Sequence, residues 1–296
     1  MGRIDLHMHS KYSVDGEFEI KELIDMATSK NLEIIALSDH NSPRGIDEMV
    51  KLGSEAGIRV IPAMEFDTLF GQEEVHVLGY NLDYNQEYFH TIEAHINALI
   101  RKSFVDGMKQ VQKHYGAYVN IEKTMAELDD GGNPFERVYG TIIKDPRNAH
   151  IKELAPYREG GSRSVPYVVN FCWDNLVVGA PCYVPVEFPT LKETVDIIHK
   201  YGGIAIIAHP WRTFYQKEEL LDEAIKQGID GVECYSNYHE PHHNEFYYEY
   251  CIKKNVLITC GSDYHGKFKP QIEMGEYGCD KDAMELCSKF LKRLDN

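Results

Sequence analysis

Histidines and carboxylates in this sequence stand at spacings that suit a metal ion. His7 and His9 are two residues apart in IDLHMHS, and Asp15 follows six residues after His9. In an extended strand, residues two apart project from the same face, so both imidazoles point the same way. Imidazole and carboxylate groups together are typical ligands of divalent ions. The motifs further along the chain decide whether this pair binds one.

Seven short β-rich runs predict the strands that position such residues. Helical segments separate several of them, and one, TLKETVDIIHKYGG, opens with a capping box of Thr190 and Glu193 and stops at Gly202. Alternation of strands with helices predicts an α/β fold with a parallel sheet, and continuously apolar runs are typical of strands covered on both faces. The predicted strands are residues 3–7, 33–40, 59–65, 74–80, 203–210, 231–236 and 256–265.

The candidate ligands lie where these runs end, which is where α/β barrels form their active sites. Run four differs, because its histidine stands near its start. Histidine with Asp or Glu and no thiolate suits Mn, Fe or Zn, and several carboxylates allow two ions to be bridged. The residues at these places are His7, His9, Asp39, His40, Glu65, His76, His209, Asp263 and His265.

Composition excludes several classes of protein. The 296 residues are 43% hydrophobic and carry a formal net charge of −16, which argues against a protein that binds duplex nucleic acid by neutralising phosphates. No apolar run is long enough to cross a membrane, and the N-terminus has no apolar signal region. Seven cysteines without a C-x-x-C pair indicate reduced thiols. We therefore expect a cytoplasmic protein with one large barrel or two medium domains.

Taken together and in chain order, the motifs resemble the PHP family, named after DNA polymerases and histidinol phosphatase. They are DLHMHS followed by VDG, SDHN, the glutamate of PAME, VHVLGY, AHP and GSDYH, and they span residues 5–265. The resemblance implies a distorted seven-stranded (β/α)7 TIM-like barrel that holds two or three divalent ions, namely Mn, Fe or Zn, with Mg as a further option. It also implies phosphoester hydrolysis by attack of a metal-activated hydroxide on phosphorus.

The resemblance further implies how the ligands are shared between ions. Because the Asp15 position is a histidine in some relatives, a two-ion site remains an alternative to a three-ion site. Asp39 is expected either to orient a ligand imidazole or to cap its loop. The implied sets are His7, His9, Glu65 and Asp263 for one ion, Glu65, His76 and His209 for a second, and Asp15, His40 and His265 for a third.

The stretch between runs four and five does not fit the barrel pattern. We predict barrel segments at residues 1–83 and 187–296, separated by a mostly helical subdomain over the site at residues 84–186. The chain resembles a PHP subgroup with such an insert, which acts on nucleoside 3′,5′-bisphosphates, nucleotides or short 5′-phosphorylated RNA ends. The R-x-x-H segment of that subgroup and its arginine after A-H-P correspond to Arg147, His150 and Arg212.

Roles beyond metal binding are assigned as hypotheses. We expect Arg147 and Arg212 to clamp phosphate oxygens, with His150 in the same substrate-binding set. We expect the leaving oxygen to be protonated by a metal-bound water or by a nearby histidine, His239 or His265, and the sequence does not choose among them. His239 also counts as substrate-binding, and Asp263 and Arg212 as catalytic.

Other functions remain open at this stage. A histidinol-phosphate-type or other metabolite phosphatase is the alternative within the reaction class. An amidohydrolase would want a bridging lysine at a strand end, where this chain has Glu65. A non-catalytic metal-binding regulatory module is the alternative of another class. The expected partner is a small phosphorylated substrate or a short single-stranded RNA end, with no membrane and no duplex nucleic acid.

Overall fold

The computed structural model describes residues 4–128 and 133–295, so that Arg3 of the first predicted strand lies outside the described residues. Seven strands form one sheet in chain order. Hydrogen bonds from His9 N to Tyr264 O and from Asp263 N to His7 O, both 2.9 Å, join the first strand to the end of the last. The predicted seven-stranded barrel is thereby confirmed, as a nearly closed one. The strands are β1 (Ile4–Met8), β2 (Ile34–Leu37), β3 (Arg59–Phe70), β4 (Glu73–Tyr80), β5 (Ile204–Ile207), β6 (Gly231–Ser236) and β7 (Leu257–Gly261).

Helices connect most of the strands. The side chains of α1 that the sequence places on one face, Ile20, Leu23, Ile24 and Ala27, are all buried. The predicted capping box is present before α7, with Thr190 N donating to Glu193 Oε2 at 2.9 Å. The α-helices are α1 (Ile20–Ser29), α2 (Ile46–Ala56), α3 (Glu87–Tyr115), α4 (Ile121–Glu127), α5 (Thr141–Lys144), α6 (Tyr167–Asn175), α7 (Leu191–Lys200), α8 (Glu218–Lys226), α9 (Pro241–Lys254), α10 (Ala283–Leu286) and α11 (Ser288–Leu294).

The prediction of a parallel sheet does not hold for β4. This strand is antiparallel to both β3 and β5, whereas the other paired neighbours run parallel. Only residues 71 and 72 separate β3 from β4, and a parallel strand would need a crossover of a dozen or more residues. The reversal also explains why His76 stands near the start of its run. The beginning of β4 lies at the edge where the parallel strands end, and His76 pairs there with Asp67 of β3.

The chain divides into two compact units. Unit 1 comprises Met1–Glu93, Phe188–Gly266 and Gln271–Asn296, and its core packs strand residues such as Leu6, Val77 and Ile206 against the surrounding helices. Unit 2 comprises Ala94–Glu187 and Lys267–Pro270.

Unit 2 has a hydrophobic core of its own. Its buried residues include Phe104, Met108, Val138 and Phe171, from α3, α6 and the π-helical turn Glu136–Gly140. The seven cysteines of the chain are all free thiols. Within the described ranges, no helix combines the length and the apolar character needed to cross a membrane.

Candidate metal centre

The nine predicted ligands lie together at one end of the barrel. Most come from the residues at or just after the strand ends, where side chains project from rigid backbone into the centre. Their nitrogen and oxygen atoms fall into groups whose members lie within 4.8 Å of one another, and Asp67 joins them as an additional residue. The groups are His7, Glu65, His209 and Asp263; His9, Asp15, His40 and His265; and His40, Asp67 and His76.

Glu65 is the shared carboxylate at the centre of this arrangement. Its Oε1 lies 2.9 Å from His76 Nδ1 and 3.0 Å from His209 Nε2. Its Oε2 lies 3.0 Å from His7 Nε2, 3.1 Å from His9 Nε2 and 3.4 Å from His40 Nε2. A completely buried carboxylate with imidazoles around both oxygens has the form of a ligand that bridges two ions.

Asp263 connects two of the groups. Its Oδ1 lies 3.1 Å from His7 Nε2 and 3.0 Å from His9 Nε2. Its Oδ2 accepts a hydrogen bond of 2.7 Å from the hydroxyl of Tyr238, whose ring also lies against His209. The Tyr238 hydroxyl therefore fixes Oδ2, while Oδ1 faces the imidazoles of His7 and His9.

A third carboxylate, Asp15, lies beside His265 and His40. Asp15 Oδ2 is 2.9 Å from His265 Nε2 and 3.9 Å from His40 Nε2. Ser13 Oγ donates to Asp15 Oδ1 at 2.9 Å and lies 3.3 Å from His9 Nδ1. The geometry thus brings together all three residues of the proposed third ion, and their role as ligands stays a prediction.

Most of the imidazoles direct one chosen nitrogen toward the centre. His7 Nδ1 donates to Glu233 Oε1 at 3.0 Å, and His265 Nδ1 donates to the carbonyl of Asp263 at 2.6 Å. His40 Nδ1 lies 2.9 Å from Asp67 Oδ1. When the outer nitrogen carries the proton, the inner Nε2 presents a lone pair, which is how metal-binding histidines are usually fixed. The donor set therefore fits divalent ions.

Mutual attraction between charges sets the pKa values of this cluster. Burial disfavours the charged form of each group, but the carboxylates Glu65, Glu233 and Asp263 outweigh it for His7, and its pKa is raised well above the ordinary value. The same balance, with Glu65 as the leading carboxylate, raises the pKa of His40 to about 9. Burial likewise opposes the charge of Glu65, but His7, His40 and His76 hold its pKa well below the usual range. Glu65 is therefore ionised and available to bind cations.

Two ligand candidates sit in unusual backbone conformations. His209 has φ of +24° and Asp263 has φ of +57°, a region that L-residues adopt at a cost of about 1–3 kcal/mol. The Asp263 peptide is held by its hydrogen bond to His7 O, and the His209 N–H donates to Glu233 Oε2 at 2.7 Å. Strain of this kind is concentrated at functional sites, where the surrounding structure maintains it.

Sequence reasoning missed Asp67, Glu233, Tyr238 and Ser13. Asp67 stands two residues after Glu65 on β3, so the same-face rule that was applied to His7 and His9 would have found it. Glu233 is a charged residue in the middle of the apolar run GVECYS, which is itself a signal, because glutamate is rarely buried unless it is paired. No signal in the sequence distinguishes Tyr238 or Ser13.

Asp39 takes the place expected of a supporting carboxylate. It is completely buried, and its two oxygens accept 2.6 Å hydrogen bonds from the backbone N–H and the hydroxyl of Ser10. Burial raises its pKa, and the nearby His9 and the bonds from Ser10 oppose that rise. Asp39 therefore fixes the loop that follows His9.

His239 is buried close to the centre. Its Nδ1 lies 3.0 Å from the carbonyl oxygen of Cys234 and 3.2 Å from Asn244 Oδ1, and its ring stacks on Tyr247. Burial, helped by the nearby His209, lowers its pKa to about 3. The imidazole is therefore neutral at physiological pH, and its proposed roles in catalysis and substrate binding stay predictions.

The other three predicted substrate-binding residues, Arg147, His150 and Arg212, are exposed. Arg212 lies three residues after His209 in unit 1. Arg147 and His150 belong to unit 2. The guanidinium of Arg147 donates two hydrogen bonds to Asp145, of 2.9 and 2.6 Å, and lies 3.4 Å from the ring centre of Tyr118. Substrate binding by these three residues stays a prediction.

Comparison with known proteins agrees with the geometry. Residues 5–132 match the PHP domain. This match covers the motifs from DLHMHS to VHVLGY, and the chain is similar to the PHP family over these residues. The resemblance recognised from the motifs is thereby confirmed.

Two relatives match the chain along most of their length. It is 24% identical to a phosphoribosyl 1,2-cyclic phosphate 1,2-diphosphodiesterase of Eggerthella lenta, over 89% of this chain and 94% of the relative. It is 25% identical to a 3′,5′-nucleoside bisphosphate phosphatase of Chromobacterium violaceum, over 100% and 97% of the two chains.

A solved structure supports the fold. A candidate metal-dependent phosphoesterase of Bifidobacterium adolescentis superposes with a TM-score of 0.73 at 21% identity, over 98% of this chain and 96% of the other. At this identity the likeness concerns the architecture, which it shares with the barrel described above.

Proposed function

We propose that this metal-dependent phosphoesterase hydrolyses a small phosphorylated substrate, a nucleotide or a nucleoside 3′,5′-bisphosphate. The observation that carries the proposal is the shared carboxylate of Glu65, with His76 and His209 at one oxygen and His7 and His9 at the other. Such a bridge suits two ions side by side, the arrangement that many phosphatases and nucleases use.

The residues of this chain hold the cations and keep the imidazoles in the required form. Bound divalent ions would supply positive charge to phosphate oxygens and lower the pKa of a water molecule. The chain itself supplies the ligands of the three groups, and the outer partners of His7 and His265 keep Nε2 directed inward. The buried setting strengthens each electrostatic interaction, because little water is present to screen it.

An anionic substrate and an acidic protein are compatible through local charge. The formal net charge of −16 repels a phosphate at long range, and bound cations reverse the sign where the substrate lands. Arg212 adds a further positive charge after β5, and we assign it to a non-bridging phosphate oxygen. Arg147 and His150 are the proposed counterparts from unit 2.

The substrate class is supported by the full-length relatives. The bisphosphate phosphatase and the cyclic phosphate diphosphodiesterase both act on phosphorylated ribose compounds, according to their names, and both match nearly the whole of this chain. The second of these names favours a phosphodiester as a second candidate substrate. A short 5′-phosphorylated RNA end is a larger member of the same class. We also propose a cytoplasmic location, where such substrates occur.

A turnover panel tests the proposal. The protein is chelated, dialysed and supplied with Mn²⁺, Fe²⁺, Mg²⁺ or Zn²⁺. Each form is offered adenosine 3′,5′-bisphosphate, AMP, histidinol phosphate, a 5′-phosphorylated oligonucleotide, an aryl phosphate and a bis-aryl phosphate. We expect phosphate to be released fastest from adenosine 3′,5′-bisphosphate. Turnover of any compound should occur only after an ion is restored.

The outcomes separate the parts of the proposal. No hydrolysis of any compound with any ion would contradict the phosphoesterase assignment and favour a metal-binding regulatory module. Preference for histidinol phosphate would contradict the nucleotide assignment alone. Preference for the bis-aryl phosphate over the aryl phosphate would identify a diesterase.

A further inference from the structure

Strand β6 supplies none of the predicted metal ligands, yet it carries a completely buried carboxylate. Glu233 stands in the middle of the strand, between Val232 and Cys234, and is 0% exposed. An ionised carboxylate in such a place costs free energy unless its oxygens are paired. The question is which groups its two oxygens serve.

Glu233 contacts two different ligand candidates, one with each oxygen. Oε1 accepts from His7 Nδ1 at 3.0 Å, and Oε2 accepts from the backbone N–H of His209 at 2.7 Å. His7 comes from the first strand and His209 follows the fifth. The carboxylate therefore ties together two ligands that lie far apart in the chain.

The bond to His7 selects the form of that imidazole. With its proton on Nδ1, the ring presents the Nε2 lone pair inward, where Nε2 lies 3.0 Å from Glu65 Oε2 and 3.1 Å from Asp263 Oδ1. A carboxylate behind a metal-binding histidine fixes both the tautomer and the ring orientation. The other tautomer would direct a proton at the place of the ion.

The bond to His209 acts on the backbone. His209 has φ of +24°, a conformation that relaxes unless its neighbours hold it. The N–H of this residue is anchored by Glu233, while its Nε2 lies 3.0 Å from Glu65 Oε1. Loss of the anchor would let the peptide rotate and move the imidazole away from the shared carboxylate.

We propose that Glu233 is a positioning residue, which orients His7 and His209 toward the ions without binding them itself. The inference rests on the proposed metal centre and adds a determinant of metal affinity that lies outside the PHP motifs. A buried ion pair is weak grounds for stability, because an apolar residue of similar volume often serves as well. The need to orient the imidazoles of His7 and His209 explains why a carboxylate, and not an apolar residue, occupies this position.

Two substitutions and one control test the role. Glu233→Gln keeps the shape but offers a single acceptor oxygen, so that only one of the two hydrogen bonds can form. Glu233→Asp keeps the charge but is shorter by one methylene and does not reach both partners. Glu240→Gln is the matched control, because it makes the same change at a side chain that is 73% exposed, just beyond the same strand.

The measurements are made on metal binding rather than on turnover. Mn²⁺ is titrated into the chelated full-length protein by calorimetry, and the visible absorption spectrum of the Co²⁺-loaded protein reports the ligand geometry. We expect both Glu233 variants to bind Mn²⁺ about 10–100-fold more weakly, with an altered Co²⁺ spectrum, and Glu240→Gln to match the wild type. Melting of the metal-free proteins is followed in parallel.

Each result decides the role. If the variants melt at a lower temperature but bind Mn²⁺ with wild-type affinity and an unchanged Co²⁺ spectrum, Glu233 is a structural residue and the inference is overturned. The same holds if neither variant folds without metal. If the wild type itself binds no Mn²⁺, the proposed function fails as well. Binding that depends on Glu233 without any turnover would contradict the proposed function alone.

Discussion

At the scale of single residues, the decisive feature is one carboxylate that several imidazoles share. The rule that residues two apart on a strand face the same way predicted the pairing of His7 with His9 from the sequence. The same rule applied to Glu65 would have revealed Asp67, which lies 2.9 Å from His40 Nδ1. Tyr238 could not be predicted, and Glu233 carried a signal only of being paired, because closure of the barrel alone brings their partners near.

Removal of a central ligand should stop the reaction. Asp263→Ala removes the carboxylate oxygen that lies 3.1 Å from His7 Nε2 and 3.0 Å from His9 Nε2. His9→Ala removes the imidazole from the second of these contacts. We expect either change to lower kcat by more than about 100-fold, beyond the effect typical of outer partners. Metal content is measured by mass spectrometry, and Asp25→Ala, at an exposed ion pair on α1, serves as control. Near-normal turnover with normal metal content would contradict the ligand assignment.

The pKa of His40 predicts how pH affects the metal-free protein. Neighbouring carboxylates overcome burial and raise that pKa from the ordinary 6.5 to about 9, so protonated His40 stabilises the fold below pH 6.5. This contribution is lost as the pH rises through about 9. Ions need the neutral ring, so their stabilising effect should grow over the same window.

Melting of the chelated and the Mn²⁺-loaded protein from about pH 6 to pH 9 checks this. The difference in Tm between the two forms should widen with pH, and His40→Asn should flatten the trend of the chelated form. A constant difference would show that His40 does not exchange a proton for an ion.

At the scale of elements, the direction of β4 is what sequence reasoning got wrong. A two-residue connection excludes a parallel crossover, and the apolar run alone carries no information about direction. Runs five to seven were predicted correctly as parallel strands, because helices separate them. The candidate ligands nevertheless lie together, since their placement depends on which edge of the sheet a residue reaches.

Close approach of two strands depends on one glycine. A Cβ on Gly261 of β7 would lie 2.3 Å from His7 Cβ and 2.6 Å from His7 N, and neither atom can move without moving β1. Gly261→Ala should therefore lower the free energy of unfolding by about 1–3 kcal/mol and weaken Mn²⁺ binding. Urea denaturation and calorimetry measure the two effects.

The control for this substitution is another crowded glycine. A Cβ on Gly107 would lie 2.3 Å from the hydroxyl of Tyr139, and both residues belong to unit 2. Gly107→Ala should affect stability and leave Mn²⁺ affinity unchanged. Equal loss of affinity in both variants would show that the effect is not local to His7.

At the scale of the whole molecule, the candidate ligands all belong to unit 1, whereas Arg147 and His150 belong to unit 2. The two tryptophans of the chain are divided in the same way, with Trp211 in unit 1 and Trp173 in unit 2. Each unit thus has its own fluorescent reporter. The stability of the units can be followed separately.

Metal should stabilise one unit and not the other. At a free Mn²⁺ concentration 100 times its Kd, binding adds about 2.7 kcal/mol to the free energy of unfolding. Trp173→Phe leaves Trp211 as the reporter of unit 1, and Trp211→Phe leaves Trp173 as the reporter of unit 2. We expect chelation to shift the unfolding transition that Trp211 reports and to leave the transition that Trp173 reports unchanged. An equal shift at both reporters would mean that the units unfold as one.

The bonds between β1 and β7 have a consequence for synthesis. His7 and His9 are synthesised more than 250 residues before Asp263, Tyr264 and His265. Until β7 is added the nascent chain carries six strands, with one edge of β1 unpaired and able to pair with another chain. The centre consequently cannot bind its full set of ions until β7 and the residues that follow it have been synthesised. A chain that stops before residue 263 would keep most of the imidazoles and still lack Asp263, the carboxylate that connects two of the ligand groups.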